Sequence, residues 1–217
     1  MTELSSAVRV FYLPGGDLMA ADDATLATAL IAKDMRAPRV AWVRFSPMVH
    51  RMLKRAFGPG HEIEDLVQDV FLSFFRKVGG LREPKALKAF VISIVVKTIQ
   101  YEIRHRRIRA WMRLARTPEA NDARTEQPDP AAREALTRFY AILDRLSARD
   151  RTAFVLRFLE GLQLEEVADA MGVSISTIKR HLDRTWKRVT LLVERSPGLA
   201  AYLQDSGAGG PFTRVKT

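Results

Sequence analysis

From Pro84 to Pro118 the chain runs without a glycine or a proline, and within that stretch Leu87, Phe90, Val91, Ile94, Val95 and Thr98 recur at helical spacing. By propensity alone "FVISIVVKTI", rich in β-branched residues, reads as a strand. Length decides otherwise: an uninterrupted periodic run with proline at its first turn predicts one long helix. Its apolar half is then buried, and its basic C-terminal half, "RHRRIRAWMRLAR", emerges towards solvent.

The flanking segments follow the same pattern. "DATLATALIAKD" has helical spacing through Leu26, Leu30 and Ile31. "VRFSPMVHRMLKRAFG" reads as a second helix with Pro47 near its first turn and Gly58 closing it. In "HEIEDLVQDVFLSFFRKVGG" the residues Leu66, Val67, Val70, Phe71, Phe74 and Phe75 form one broad stripe, while Asp65, Gln68, Asp69, Leu72 and Arg76 share the opposite face. Acids in its first turns and cations in its last suit the helix dipole. "TPEANDARTEQPDP", polar and without periodicity, is a linker. Four amphipathic segments follow, one opened by Ser147 with Asp150 three residues on, as in a capping box.

The fold expected is all-α, two small helical domains joined by a flexible linker, the C-terminal one a helix-turn-helix. Residues 1–24 are an N-terminal tail, 25–116 the first domain, 117–132 the linker, 133–195 the second domain and 196–217 a glycine-rich tail, with "GLAAYLQ" its one candidate for order.

A net charge of +10 and a pI near 10.3 call for a polyanion as partner. The charge is concentrated. Between Leu81 and Arg116 ten cations face only Glu83 and Glu102, and a second cluster, Lys179, Arg180, Arg184, Lys187 and Arg188, faces only Asp183. Two basic patches suggest two contacts on one extended polyanion. The chain has no cysteine, which excludes disulfides and thiolate metal sites. An acidic start broken by Pro-Gly-Gly is no signal peptide, and no apolar run could span a bilayer, so a cytoplasmic location without membrane insertion is expected.

Enzyme motifs are missing. "HEIED" lacks the second histidine of a zinc-protease helix, and His50, His61, His105 and His181 are scattered. With no phosphate-binding glycine loop and no nucleophile elbow either, neither catalysis nor a metal or cofactor is expected.

"LEEVADAMGVSISTIKRHL" has the spacing of a helix-turn-helix. Ala168 is small where two helices approach, Gly172 permits the positive φ of the tight turn, and Val173 and Ile178 fill the space between. Ser174, Ser176, Thr177, Lys179, Arg180 and Arg184 are left on the outer face of the second helix, where hydroxyls reach base edges and cations reach phosphates. An ordinary hairpin with a solvated face is the plain alternative, and the basic face argues against it.

The order of these parts, an acidic amphipathic helix "EDLVQDVFLSFF", a long helix with a basic end, a linker and a helix-turn-helix, resembles the extracytoplasmic-function (ECF) group of bacterial RNA polymerase sigma factors from about Leu26 to Arg195. The resemblance implies that Asp65, Gln68, Asp69 and Leu72 dock on core polymerase, an acidic row on a basic protein suiting a protein partner. It implies that the segment Phe90 to Arg109 melts and reads the minus-ten promoter element. There Lys97, Arg104, Arg106, Arg107 and Arg109 would hold phosphates, and Tyr101 and His105 would offer stacking surfaces. Trp111 is a third candidate stacking surface and, of the three, the first candidate for core or linker packing. The helix-turn-helix would read the minus-thirty-five element through the six residues of its outer face.

The chain departs from the family pattern at Phe90-Val91, where a Trp-Leu pair is usual, and at Lys97, near which the family has an Asn that can pair with a base edge. Ser176 stands where a glycine is more common. The linker is too short for the extra domain of housekeeping sigma factors. Core RNA polymerase and promoter DNA are the partners implied, with an anti-sigma protein a further candidate. The second reading is a stand-alone transcriptional regulator whose N-terminal helices sense a ligand or mediate dimerisation.

Overall fold

The structure is a computed structural model describing residues 18–58, 61–113 and 129–205. Most of the N-terminal tail, the linker up to residue 128 and the end of the C-terminal tail lie outside the described residues. Among the described residues the regular structure is entirely helical: α1 (Asp23–Ile31), α2 (Ala37–Phe57), α3 (Glu64–Lys77), α4 (Leu87–Arg113), α5 (Pro130–Asp144), α6 (Ala148–Phe154), α7 (Leu164–Met171), α8 (Ile175–Glu194) and α9 (Pro197–Asp205), with short 3₁₀ turns before α4 and a π turn, Val155–Leu159, continuing α6.

The caps are local chemistry. Asp22 accepts the Thr25 amide at 2.8 Å to open α1, and Asp129 accepts that of Ala131 at 3.2 Å to open α5. Ser147 opens α6 by accepting the Asp150 amide at 3.1 Å, as the sequence suggested. Gln163 and Glu166 form a reciprocal capping box on α7. Gly172, at φ 65° and ψ 40°, takes the left-handed turn between α7 and α8, and the Val173 amide closes it on the Ala168 carbonyl at 3.0 Å.

Three elements differ from the sequence reading. Pro47 lies inside α2, which starts ten residues earlier at Ala37 with Pro38 in its first turn. Pro47 is tolerated because it sits on the exposed face, where the Val43 carbonyl that loses its partner is on the solvent side. The "GLAAYLQ" stretch, the tail's candidate for order, is ordered, but as a helix, α9, that belongs to the second domain's core, with Leu199 buried with Ala135, Ile142, Leu143 and Val189. The basic half of α4 does not simply emerge into solvent, because α4 is apolar on two faces. Leu87, Val91, Ile94 and Val95 form one buried stripe, and Ile92, Val96, Ile99 and Ile103 form a second about a third of a turn round.

Both stripes lie in one core with α1, α2 and α3, which contribute Leu26, Phe45, Val49, Leu53, Val67, Val70 and Phe74. That core continues without a break into α6, α7 and α8 through Ala153, Leu156, Val167, Ala168 and Ile178. The N- and C-terminal helices are therefore packed together. A smaller core, centred on Leu143, Phe154 and Val189, joins α5, α6, α8 and α9.

Candidate nucleic-acid interface

The outer face of α4 carries Lys97, Tyr101, Arg104 and His105, all exposed. Tyr101 and His105, one turn apart, stack with ring centroids 5.6 Å apart and planes at 13°. Ile108 and Trp111 extend the same face. Of the two roles open to Trp111, its 77% exposure favours the stacking surface over core packing, so one side of α4 is a continuous strip of rings and cations. Such a strip offers flat surfaces to unstacked bases and charge to phosphates.

The remaining arginines of the basic run are not on that strip. Arg106 Nε and Arg109 Nη2 both reach Oε1 of the buried Glu102, each at 2.7 Å. The Arg106 guanidinium also lies over the Phe57 ring, 4.5 Å from its centroid. Arg107 donates to the main-chain carbonyls of Asp144, at 2.9 Å, and Leu146. Sequence spacing could not reveal this, because Glu102 reads there as one more helix-surface acid.

On α8, Ser174 is the N-cap, its Oγ accepting the Thr177 amide at 3.3 Å and lying 3.0 Å from Ser176 Oγ and 2.9 Å from Thr177 Oγ1. Three hydroxyls thus cluster where the helix dipole favours an anion. Lys179 and Arg180 are exposed beyond them. Ile175 belongs to the same surface, 40% exposed beside the hydroxyls, and was absent from the sequence reading. An apolar side chain there suits a thymine methyl group.

Arg184 is tethered. Its Nη2 lies 3.1 Å from Asp150 Oδ1, which also receives His181 Nδ1 at 2.9 Å, while Ser147 Oγ donates to Oδ2 at 2.7 Å. Burial pushes the Asp150 carboxyl up, but the hydrogen bonds from His181, Ser147 and Arg184 outweigh it and leave the group below its ordinary value. In the sequence Asp150 could be seen only as a capping residue, because its partners lie on another helix.

Asp65, Gln68, Asp69 and Leu72 line the solvent side of α3, with Leu72 57% exposed. Among the described residues no cation is within ion-pair distance of Asp65 or Asp69, and no helix is long and apolar enough to cross a membrane.

Two family models match the chain: sigma-70 region 2 over residues 42–109 and sigma-70 region 4 over residues 136–189. The chain is 30% identical over 141 residues to the ECF RNA polymerase sigma factor SigE of Mycolicibacterium smegmatis, a match covering 63% of this chain and 53% of that protein. It therefore spans about half the length of that relative. It is 26% identical over 166 residues to the ferric citrate uptake sigma factor FecI of Escherichia coli, covering 74% of this chain and 90% of the other. Its fold is similar to that of the sigma factor RpoE from Bartonella quintana, solved with the anti-sigma factor NepR, with a TM-score of 0.55 at 22% identity over 73% of this chain and 98% of that one.

Proposed function

Because the chain belongs to the sigma-70 family, in its ECF group, with the two region models together matching more than half of its residues, we propose that it binds core RNA polymerase and directs promoter-specific transcription initiation. It acts in the cytoplasm and contributes no catalytic group, the polymerase supplying the chemistry. Residues 25–116 form the region 2-like domain, which docks through Asp65, Gln68, Asp69 and Leu72 and opens the minus-ten element along α4. Residues 133–195 form the region 4-like domain, which reads the minus-thirty-five element with Ser174, Ser176, Thr177, Lys179, Arg180 and Arg184.

The observation that carries this reading is the stacked Tyr101–His105 pair between Lys97 and Arg104. A protein that reads only duplex DNA has no use for exposed ring faces beside cations, whereas strand opening needs a place for unstacked bases. With Lys97 near where the family has an amide, base-edge pairing gives way to a phosphate contact, so the preference within the minus-ten element shifts away from the family's. An anti-sigma protein of the kind bound to the Bartonella quintana factor is the further partner we assign.

The test is co-elution with bacterial core polymerase together with transcription from genomic fragments, using Asp65→Arg plus Asp69→Arg as the comparison. The wild-type chain co-elutes and transcribes, and the double reversal loses both by at least about tenfold, the scale of one or two lost charge contacts. Specific duplex binding with no affinity for core polymerase would instead make the chain a stand-alone regulator.

A further inference from the structure

A cleft of about 470 Å³ opens among the C-terminal helices and shares no residue with the two DNA-reading surfaces or the docking face. Two of its walls come from one helical pattern. Arg138, Ala141, Ile142 and Arg145 recur at i, i+3, i+4 and i+7 along α5, and Leu192, Arg195 and Ser196 repeat the start of that pattern at the end of α8. α9 begins at the edge of the cleft. It packs against both α5 and α8 and is anchored by Leu199, 2% exposed.

The charge in the cleft has one sign, since no acid is among the described residues that line it. Arg138 donates from Nε and Nη2 to Glu134 Oε1 at 3.1 and 2.6 Å. Arg145 and Arg195 are exposed and have no carboxylate in ion-pair distance among the described residues. Packing alone would not collect three guanidiniums here, because like charges brought together repel and cost stability. Gly198 carries the same bias. Its φ is not in the left-handed region, so the backbone does not require glycine, yet a Cβ there would lie 3.2 Å from Arg138 Cζ and 3.3 Å from Nη1. The missing side chain keeps room for that guanidinium at the first turn of α9.

We propose that this cleft is a binding site for a nucleoside phosphate. Three guanidiniums against Glu134 leave an excess of two positive charges, which a phosphate monoester, close to a dianion at pH 7, neutralises and a single carboxylate does not. The volume falls in the range of small-molecule sites, ~300–1,000 Å³, and is too large for inorganic phosphate to fill. Arg145 and Arg195, whose forks are free of carboxylates, take phosphate oxygens in the bidentate geometry that suits a guanidinium. Ala141, Ile142 and Leu192 give apolar contact to the base, and Arg138, its charge already met by Glu134, offers its plane for stacking. The bound nucleotide bridges α5 to the junction of α8 and α9 and so fixes α9 on its core. Leu192 lies eighteen residues along α8 from Ser174, about 27 Å at ~1.5 Å per residue, so the hydroxyl end of the helix stays open to DNA. The site is independent of the promoter-reading function, and either stands without the other.

Titration calorimetry of the full chain with AMP, GMP, CMP, UMP and inorganic phosphate tests this. At least one nucleotide is expected to bind with a dissociation constant below ~0.1 mM, and inorganic phosphate at least about tenfold more weakly. A net charge of +10 attracts any anion, so general attraction has to be separated from the cleft. Arg145→Gln with Arg195→Gln should weaken the nucleotide at least about tenfold, the scale of one lost charge-assisted hydrogen bond. Arg39→Gln with Arg149→Gln removes the same charge from exposed positions on α2 and α6 and should change affinity less than about twofold. The nucleotide should also raise the unfolding temperature of the wild-type chain and not that of the Arg145/Arg195 variant. Binding of none of the four nucleotides, equal loss in the two double variants, or inorganic phosphate binding as tightly as the nucleotides overturns the proposal. So does a loss of promoter DNA affinity in the Arg145/Arg195 variant with nucleotide affinity unchanged, which would make the cleft a DNA contact.

Discussion

Arg151 and Ala56, ninety-five residues apart, are joined by two hydrogen bonds from one buried guanidinium to one carbonyl. The same side chain reaches Asp144, so its charge is met on both sides. Removing it leaves the end of α2 uncapped inside the seam and Asp144 with its charge in solvent. Arg151→Ala is therefore predicted to destabilise the full chain by ~2–4 kcal/mol, the range for a broken buried charged contact. Arg151→Lys should not restore it, because an ammonium cannot present two donors in a fixed fork. Urea denaturation of the three proteins decides this, and a loss below ~0.5 kcal/mol in the alanine variant would mean the guanidinium is not holding the seam.

Gly172 and Gly58 separate two reasons for being glycine. Gly172 has φ 65° and nothing within 4 Å of where a Cβ would sit, so Gly172→Ala pays only the left-handed backbone cost of ~1 kcal/mol. Gly58 combines φ 89° with ψ 175°, a region almost closed to other residues, and the Tyr140 ring lies 2.7 Å from its missing Cβ. Gly58→Ala should cost ~2 kcal/mol more than Gly172→Ala. Placing it in a Tyr140→Ala background should remove the steric part, so the two changes are less than additive. A double-mutant cycle by thermal unfolding reads this directly, and strict additivity would mean that the ring does not press on Gly58.

What could be read from the sequence was whatever repeats locally. The stripe of α3, the Ser147 cap, the turn at Gly172 and the Ala168–Ile178 packing each follow from residues within a few positions of one another. The long helix was legible from the absence of Gly and Pro between Pro84 and Pro118. Its second apolar face was not separated from the first, because Ile92, Val96, Ile99 and Ile103 interleave with the other stripe, and only the folded chain shows both buried in one core that α4 shares with α1, α2, α3, α6 and α7. For the same reason Arg106, Arg107 and Arg109 read as one basic run with Arg104, although their partners are a buried acid on the same helix and carbonyls some forty residues away. Pro47 misled because its exposure on α2, which makes it harmless, is a property of the folded helix.

Asp150 gives the fold an acid-side signature. Its carboxyl lies below the ordinary value of 3.8 in the folded chain, so its contribution to stability is present above the unfolded value and is lost as pH falls through the lower folded one. Asp150→Asn removes the charge that His181, Ser147 and Arg184 share, and should cost ~1–2 kcal/mol at pH 7, a range reduced for the exposure of Arg184. The gap between wild type and variant should close as pH falls through the lowered folded value, below which both carry a neutral side chain. Unfolding free energies of the pair from pH 7 down to pH 2.5 test the sign, and a gap that widens on acidification would contradict it.

The cations of α8 should differ in what they contribute to DNA binding. Arg180 is exposed, with no carboxylate in ion-pair distance among the described residues, whereas the charge of Arg184 is already partly compensated by Asp150. Each phosphate newly neutralised adds ~0.9 to the slope of log affinity against log salt. Arg180→Ala should therefore flatten that slope by ~0.9 and weaken binding at every sequence alike. Arg184→Ala should flatten it less, and Asp150→Asn, by freeing the Arg184 guanidinium and removing a carboxylate that repels phosphate, should steepen it. Salt titrations of holoenzyme binding to a promoter fragment distinguish the three. Equal flattening by Arg180→Ala and Arg184→Ala would show that Asp150 releases its partner when DNA arrives and so has no part in setting the charge of the recognition helix.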